Sequence, residues 1–270
     1  MNAVRYRAKG GDARLGRLDG DVIVDAGPAG PEGFVPTPEN WRLIADASGD
    51  TCAVSDVQLL HPVVPGKILA IGLNYRDHAE ESELEIPEVP VVFSKATTAL
   101  IGQGETIVVP REETRPDWEA ELAVVIGRRT YRATLDDALA SVGGYTAIND
   151  VSGRRAQLET PLRQFVYGKS FDTFAPLGPS IASAEGVDFG DIQVSSRIGD
   201  EVLQDSNTRH LIFSVAEIIE YLSRGITLEP GDVIATGTPG GVGDGRDPKR
   251  YLQDGEVIEV TVDRKSTRLN

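Results

Sequence analysis

Asp117-Trp118-Glu119-Ala120-Glu121-Leu122-Ala123-Val124-Val125-Ile126-Gly127 is the stretch on which the reading of this chain turns. Its second half is an apolar run of strand length closed by glycine, which predicts a buried β-strand. Its first half sets three acids, Asp117, Glu119 and Glu121, at alternate positions. Side chains two apart on a strand share a face, so the three carboxylates are expected to converge. Carboxylates crowded beside apolar residues repel one another and lose hydration, which is costly unless a counter-charge is present. A hard divalent cation, Mg2+ or Mn2+, would supply that charge because both favour oxygen ligands. A strand that begins at the solvent edge, its acids simply hydrated, fits the same pattern. The stretch alone leaves both readings open.

Composition narrows the setting. The 270 residues carry 27 basic and 42 acidic side chains, formally −15, which argues against nucleic acid or an anionic membrane as the main partner. A small anionic substrate remains compatible, because a local cationic pocket overrides the global sign. Cys52 is the single cysteine, so no disulfide framework or thiolate metal cluster is available. Only His61, His78 and His210 are present, so a metal site must be rich in carboxylates. No segment approaches the roughly 20 apolar residues that span a bilayer. The expectation is a soluble, cytoplasmic protein.

Along the chain, Val4 to Arg7, Ala13 to Leu18 and Val22 to Asp25 read as short strands, with Asp19-Gly20-Asp21 as a hairpin turn. A short helix is predicted near Glu39 to Ala47. Proline and glycine between His61 and Gly66 mark a boundary, giving a small β-rich module at 1–61 and a larger domain at 62–264. Lys67 to Gly72 reads as a strand running into a polar segment through Ser82. If that segment is helical, His78 and Glu81 share a face, and the carboxylate would orient and activate the imidazole as a base. A solvated acidic helix with an incidental histidine is the plainer alternative. Val91 to Lys95 and Thr106 to Val109 read as strands, and Gly143 to Asp150 as a strand ending in an acid. Asp150 would serve as a further ligand or as the N-cap of a helix over Val151 to Glu159. Tyr167-Gly168-Lys169-Ser170 ends like a phosphate-binding loop, but Arg163 stands where the first glycine is required. Ile192 to Ile198 and Val257 to Val262 read as strands. Ser214 and Glu217 fit a capping box ahead of the apolar stripe Val215, Ile218, Ile219, Leu222. A strand over Asp232 to Thr236 enters Gly237-Thr238-Pro239-Gly240-Gly241-Val242-Gly243, whose backbone N–H groups would approach an anion.

These pieces, in this order, resemble the fumarylacetoacetate hydrolase superfamily. The resemblance rests on Gly72-Leu73-Asn74-Tyr75 through His78, Phe93-Ser94-Lys95, Asp117 through Gly127, Tyr145 through Ser152, Gly168 through Thr173, and Gly237 through Gly243. It covers roughly residues 62 to 262. It implies an α+β fold, a mixed β-sheet roll with flanking helices, assembled as a homodimer. It implies Mg2+ or Mn2+ held by Glu119, Glu121 and Asp150, with His78 and Glu81 on a lid helix. It also implies a role for Lys169 in catalysis, and substrate contacts from Lys95, Arg154, Gln157 and Thr238. Two departures stand out. Many relatives have Ala-Arg-Asp where this chain has Gly153-Arg154-Arg155, and many have tryptophan where it has Phe165. The Lys265 to Asn270 tail does not resemble the family's closing strand.

The resemblance further implies a reaction. A 2-oxo acid would offer its carboxylate and 2-oxo oxygens to the cation, while Lys169, Arg154 and the Thr238 loop hold the substrate. Negative charge developing on the 2-oxo oxygen is stabilised where it forms. The leading expectation is hydrolysis of the C3–C4 bond in acylpyruvate-type 2,4-dioxo acids, with oxaloacetate-type decarboxylation at the same site. An isomerase of the 2-hydroxyhepta-2,4-diene-1,7-dioate type, as in aromatic catabolism, is the alternative. A non-catalytic metal-binding scaffold is the third.

Overall fold

A computed structural model describes residues 1–263 and 268–269. Near the N-terminus, β1 (Asn2–Ala8), β2 (Ala13–Asp19) and β3 (Val22–Pro28) form a meander. Gly20, at φ 63°, makes the expected turn between β2 and β3. Helix α1 (Pro38–Ala45) begins on the Thr37 side chain, and β4 (Thr51–Ala53) and β5 (Val57–Leu60) follow. The next segment carries β6 (Ile68–Gly72), α2 (Arg76–Glu81), β7 (Val91–Lys95), β8 (Leu100–Ile101), β9 (Pro116–Asp117) and β10 (Ala120–Ile126). Then come α3 (Leu135–Ala138), β11 (Val142–Asn149), β12 (Ser152–Gly153), α4 (Arg154–Leu158), α5 (Phe165–Lys169) and β13 (Ala175–Ser183). The last elements are β14 (Gln193–Ile198), β15 (Glu201–Asn207), α6 (Val215–Ser223), β16 (Val233–Ala235), β17 (Ile258–Asp263) and β18 (Arg268–Leu269).

One large mixed sheet organises the molecule, in the order β4-β3-β2-β1-β13-β11-β10-β16-β6-β7. A smaller sheet, β15-β14-β17-β18, packs beside it. The class is α+β, as expected. Strand β10 lies inside the large sheet, antiparallel to β11 and to β16, and every one of its residues is buried. That two-sided burial explains its continuous apolar run. Ala120, Leu122, Val124 and Ile126 face a core shared with α6 and with Val194, Val260 and Val262 of the small sheet. Ala123 and Val125 face the opposite core with Ile68, Ala70, Phe93 and Leu177. Truncating Leu122 to alanine would cost ~2–5 kcal/mol, the range for a buried leucine in a close-packed core. Helix α6 starts on the anticipated capping box, Ser214 and Glu217 each accepting the other's backbone N–H.

Several expectations are corrected. Thr106 to Val109 forms no strand: Val108 is exposed, and its N–H donates to Thr173 Oγ1 at 2.7 Å instead of to a neighbouring strand. The short strand there is β8, parallel to β13. The helix expected from Val151 starts at Arg154, and its N-cap is Gly153, not Asp150. Apart from these corrections, β1 pairs with β13 in the large sheet, with Asn2 opposite Ala182. Most of the Lys265 to Asn270 tail lies outside the described residues. Among the described residues, no helix is long and apolar enough to cross a membrane.

Candidate active site

The β10–β11 ladder builds the centre of the site. Ala120 lies opposite Asn149. Just before β10, Glu119 N–H donates to Asn149 Oδ1 at 3.0 Å, while Asp150 N–H donates back to the Glu119 carbonyl at 2.8 Å. This exchange sets Asp150 across from Glu119. One carboxylate oxygen from each of Glu119, Glu121 and Asp150 then falls within 4.8 Å of the others, and all three residues are buried. The parity argument holds for Glu119 and Glu121 and fails for Asp117. Asp117 belongs to β9, which pairs with β12 and is separated from β10 by Trp118 and Glu119. Its side chain turns instead to Arg154, accepting from Nε at 2.7 Å.

Three buried cations surround the acids. Lys169 Nζ donates to Glu119 Oε2 at 2.5 Å and to Asp150 Oδ2 at 2.9 Å. Lys95 Nζ donates to Asp150 Oδ1 at 2.6 Å, and to the carbonyls of Val151 and Lys169. Lys95 is 3% exposed, so it is no edge-solubilising lysine. Arg154 Nη2 lies 2.7 Å from Glu119 Oε1, and Nη1 donates to Gln157 Oε1 at 3.0 Å.

The charges are unevenly met. Burial opposes ionisation of Glu119, but Lys169 and Arg154 outweigh it and hold the carboxyl down at about 2. Burial also works against charge on Lys169, yet Asp150 and Glu119 raise its pKa above the usual lysine value. For Lys95 burial prevails over Asp150, and the pKa falls. Glu121 is the exception among the acids. Burial, with Asp150 and Glu119 beside it, pushes its carboxyl well above the ordinary range. Among the described residues no cationic side chain pairs with it, and it accepts only the Gly237 N–H, at 2.8 Å. A carboxylate with oxygen donors beside it and no cation of its own is the feature that a divalent ion fits. Glu119, Glu121 and Asp150 are the residues that would hold it.

A second group faces this centre from α2. His78 Nδ1 lies 3.2 Å from Glu81 Oε2, on the anticipated three-residue spacing. Both side chains are partly exposed, and an imidazolium at His78 would help keep Glu119 ionised. The helix is docked on the glycine-rich loop: Gly241 N–H donates to Glu81 Oε1 at 2.8 Å, and Gly240 N–H to Asp77 Oδ1 at 3.4 Å. Asp77 also accepts from Ser206 Oγ at 2.6 Å, a docking contact with no local signal in the sequence.

The glycine loop is thus spent differently from the expectation. Its N–H groups at 237, 240, 241, 243 and 244 all donate to carboxylates of the protein itself. Gly241, at φ 98°, has the Leu203 carbonyl oxygen 2.2 Å from where a Cβ would stand, so no other residue fits there. Thr238 is buried, its hydroxyl donating to the Ala120 carbonyl at 3.0 Å and accepting from Gln204 at 2.8 Å. The structure therefore gathers Glu119, Glu121, Asp150, Lys95, Lys169, Arg154 and Gln157 into one buried network. His78 and Glu81 stand at its mouth, and Thr238 secures the loop.

Comparison with known proteins bears on this arrangement. Residues 67–269 match the family model described as fumarylacetoacetate (FAA) hydrolase C-terminal. The chain is 40% identical over 218 residues to the oxaloacetate tautomerase FAHD2A, mitochondrial, of Bos taurus, a span of 80% of this chain and 69% of that protein. The structure of fumarylacetoacetate hydrolase from Exiguobacterium antarcticum superposes with a TM-score of 0.83 at 34% identity, covering 100% of this chain and 97% of that one. That of 5-carboxymethyl-2-hydroxymuconate delta-isomerase from Mycobacterium smegmatis gives 0.81 at 31% identity with the same coverage.

Proposed function

The chain belongs to the fumarylacetoacetate hydrolase family, and we propose that it is a divalent-metal-dependent enzyme interconverting the keto and enol forms of an oxaloacetate-type 2-oxo acid. The observation that carries the reading is the buried Glu119–Glu121–Asp150 triad with an imidazole–carboxylate pair at its mouth. The tautomerase relative supports the choice of substrate class. A bound divalent cation would supply Lewis acidity, stabilising negative charge on the 2-oxo oxygen as it forms.

The chain's own residues do the rest. Glu81 accepts from Nδ1–H of His78, which fixes the tautomer and leaves the lone pair on Nε2. That nitrogen takes the proton from C3, and the electron pair of the C3–H bond becomes the C2–C3 double bond as the carbonyl pair moves onto oxygen. The imidazolium then returns its proton to that oxygen, giving the enol with no atom gained or lost. Lys169, held protonated by Glu119 and Asp150, adds fixed positive charge beside the developing anion. Arg154 and Gln157 orient the substrate carboxylate.

Hydrolysis of the C3–C4 bond in an acylpyruvate is the second reading. The His78–Glu81 pair supports it, because the same base would activate a water against the C4 carbonyl. The test follows oxaloacetate enol by ultraviolet absorbance and pyruvate by a coupled assay, with Mg2+ and with chelator. Metal-dependent loss of enol without pyruvate is expected. Pyruvate from an acylpyruvate would favour the hydrolase, and no change in either substrate would overturn both readings.

A further inference from the structure

Asp117 is the acid of the opening motif that the metal centre does not use. It is fully buried, and its two oxygens accept four hydrogen bonds. Oδ1 takes the N–H groups of Trp118 at 2.8 Å and Gly243 at 2.6 Å. Oδ2 takes Arg154 Nε at 2.7 Å and the Asp244 N–H at 3.0 Å. A Cβ at position 243 would stand 2.7 Å from Asp117 Oδ1 and 1.8 Å from the Arg250 carbonyl oxygen, so glycine allows the loop to come this close.

The consequence falls on Arg154. Asp117 holds Nε, Gln157 holds Nη1, and Nη2 is left as a buried nitrogen with no aligned hydrogen bond among the described residues, 2.7 Å from Glu119 Oε1. Its charge is met by the Glu119 carboxylate, though not through an aligned hydrogen bond. Its two neighbours, each fixed by a side chain, aim it towards the metal ligands. The next residue, Arg155, turns outward to Glu159 at 3.7 Å and donates to the Glu112 carbonyl, so it offers Arg154 no acid. The acid that orients Arg154 in this chain therefore comes from β9, across the site.

We propose that Asp117 is a positioning residue for substrate recognition: it locks Arg154 and the Gly243–Asp244 end of the glycine loop into one unit, so that Arg154 Nη2 meets the carboxylate of the 2-oxo acid. The inference rests on the function proposed above. It separates two roles for neighbouring acids: Glu119 and Glu121 serve the cation, and Asp117 serves the substrate's anionic end. Asn at 117 cannot reproduce the contact, because its amide NH2 would face donors whichever way it turns.

The experiment titrates oxalate, a carboxylate-bearing mimic of the enolate, into the Mg2+-loaded full chain, with Mn2+ affinity and melting temperature measured in parallel. D117N is expected to bind oxalate on the order of tenfold or more weakly, the range for a lost charge-assisted hydrogen bond, with KM raised more than kcat is lowered. Mn2+ affinity should stay within about twofold of wild type, as expected for groups that do not ligate the metal. In an R154K background the Asp117 effect should vanish, since the two act through one group. A lower melting temperature with unchanged oxalate affinity would leave Asp117 merely structural and overturn the inference. If D117N does not fold, R154K alone decides: wild-type oxalate affinity in that variant also overturns it. Failure of the wild type to bind oxalate or turn over oxaloacetate would instead defeat the functional reading.

Discussion

Glu121→Gln separates the electrostatic roles of the three buried acids Glu119, Glu121 and Asp150. Without a cation, burial and then Asp150 and Glu119 push the Glu121 carboxyl towards its neutral form, which glutamine matches in shape. Gly237 N–H keeps an acceptor at this position. In chelator, E121Q should therefore melt within ~2 °C of wild type, because an isosteric neutral swap changes stability by no more than ~1 kcal/mol in a chain of this size. E119Q and D150N should behave otherwise. D150N takes from Lys95 its one carboxylate, and E119Q takes from Lys169 one of two carboxylates and from Arg154 Nη2 its ion-pair partner; removing one partner of a buried pair costs ~3–5 kcal/mol. Mg2+ at about 100 times its dissociation constant stabilises wild type by ~2.7 kcal/mol, about 5–10 °C here, and E121Q should lose that gain. The pH dependence follows with its sign. A carboxyl raised in the folded state contributes stability below the ordinary carboxylate value, lost as pH climbs towards the raised one. Chelated wild type should therefore weaken with rising pH across that window, and E121Q should weaken less. Differential scanning fluorimetry at several pH values, with and without Mg2+, reads every term. A full Mg2+ shift in E121Q, or a chelated loss as large as that of E119Q, would refute the assignment.

The other predictions are narrower. Glu81→Gln should lower kcat by ~10²-fold or more, the usual worth of an oriented general base, while leaving the Mg2+-dependent rise in melting temperature intact. An unchanged kcat would remove His78 from the mechanism. Ser214→Ala removes one half of the α6 capping box and should cost about 1 kcal/mol, seen as a melt lowered by ~2–4 °C with kinetics unaltered.

What was legible in the sequence follows from how local each signal is. Strand β10 was readable because burial on both faces leaves an apolar run that only an inner strand tolerates. Helix α6 announced itself by its cap, and the His78–Glu81 pair by its spacing. Asp150 was different. Its place beside Glu119 depends on the β10–β11 register, a contact between segments about thirty residues apart, and no local pattern distinguishes it from a helix cap. Resemblance supplied it instead. Asp117 was misplaced because alternation predicts one face only while the strand continues, and it is interrupted at Trp118 and Glu119. Strand β13 went unread because Pro176, Gly178 and Pro179 punctuate it, although its neighbours β1 and β11 hold it in the sheet. The glycine loop was recognised for its backbone freedom, but only the packed structure shows that its N–H groups go to Glu121, Glu81 and Asp117.

The charge inventory of the site also fixes an order of binding. Asp117, Glu119, Glu121 and Asp150 face Lys95, Arg154 and Lys169, all seven buried. Burial pushes Glu121 and Lys95 each towards the neutral form, so these groups together leave little net positive charge to draw an anion into this low-dielectric space. A divalent cation brings two positive charges and, in driving off the Glu121 proton, gives one back, so it raises the sum by one. On the proposed function, that added charge would draw in the 2-oxo acid despite a chain that is formally −15 overall. Buried ion pairs of this kind add little to stability compared with apolar packing, so their retention fits a chemical purpose. Metal should therefore bind first and oxalate second. Calorimetry should register oxalate binding only after Mg2+ is added, and Mg2+ binding should release a proton, measured as a dependence of the heat on buffer ionisation enthalpy. Oxalate binding of equal affinity in chelator would show that the three cations suffice alone, and the ordered scheme would fall.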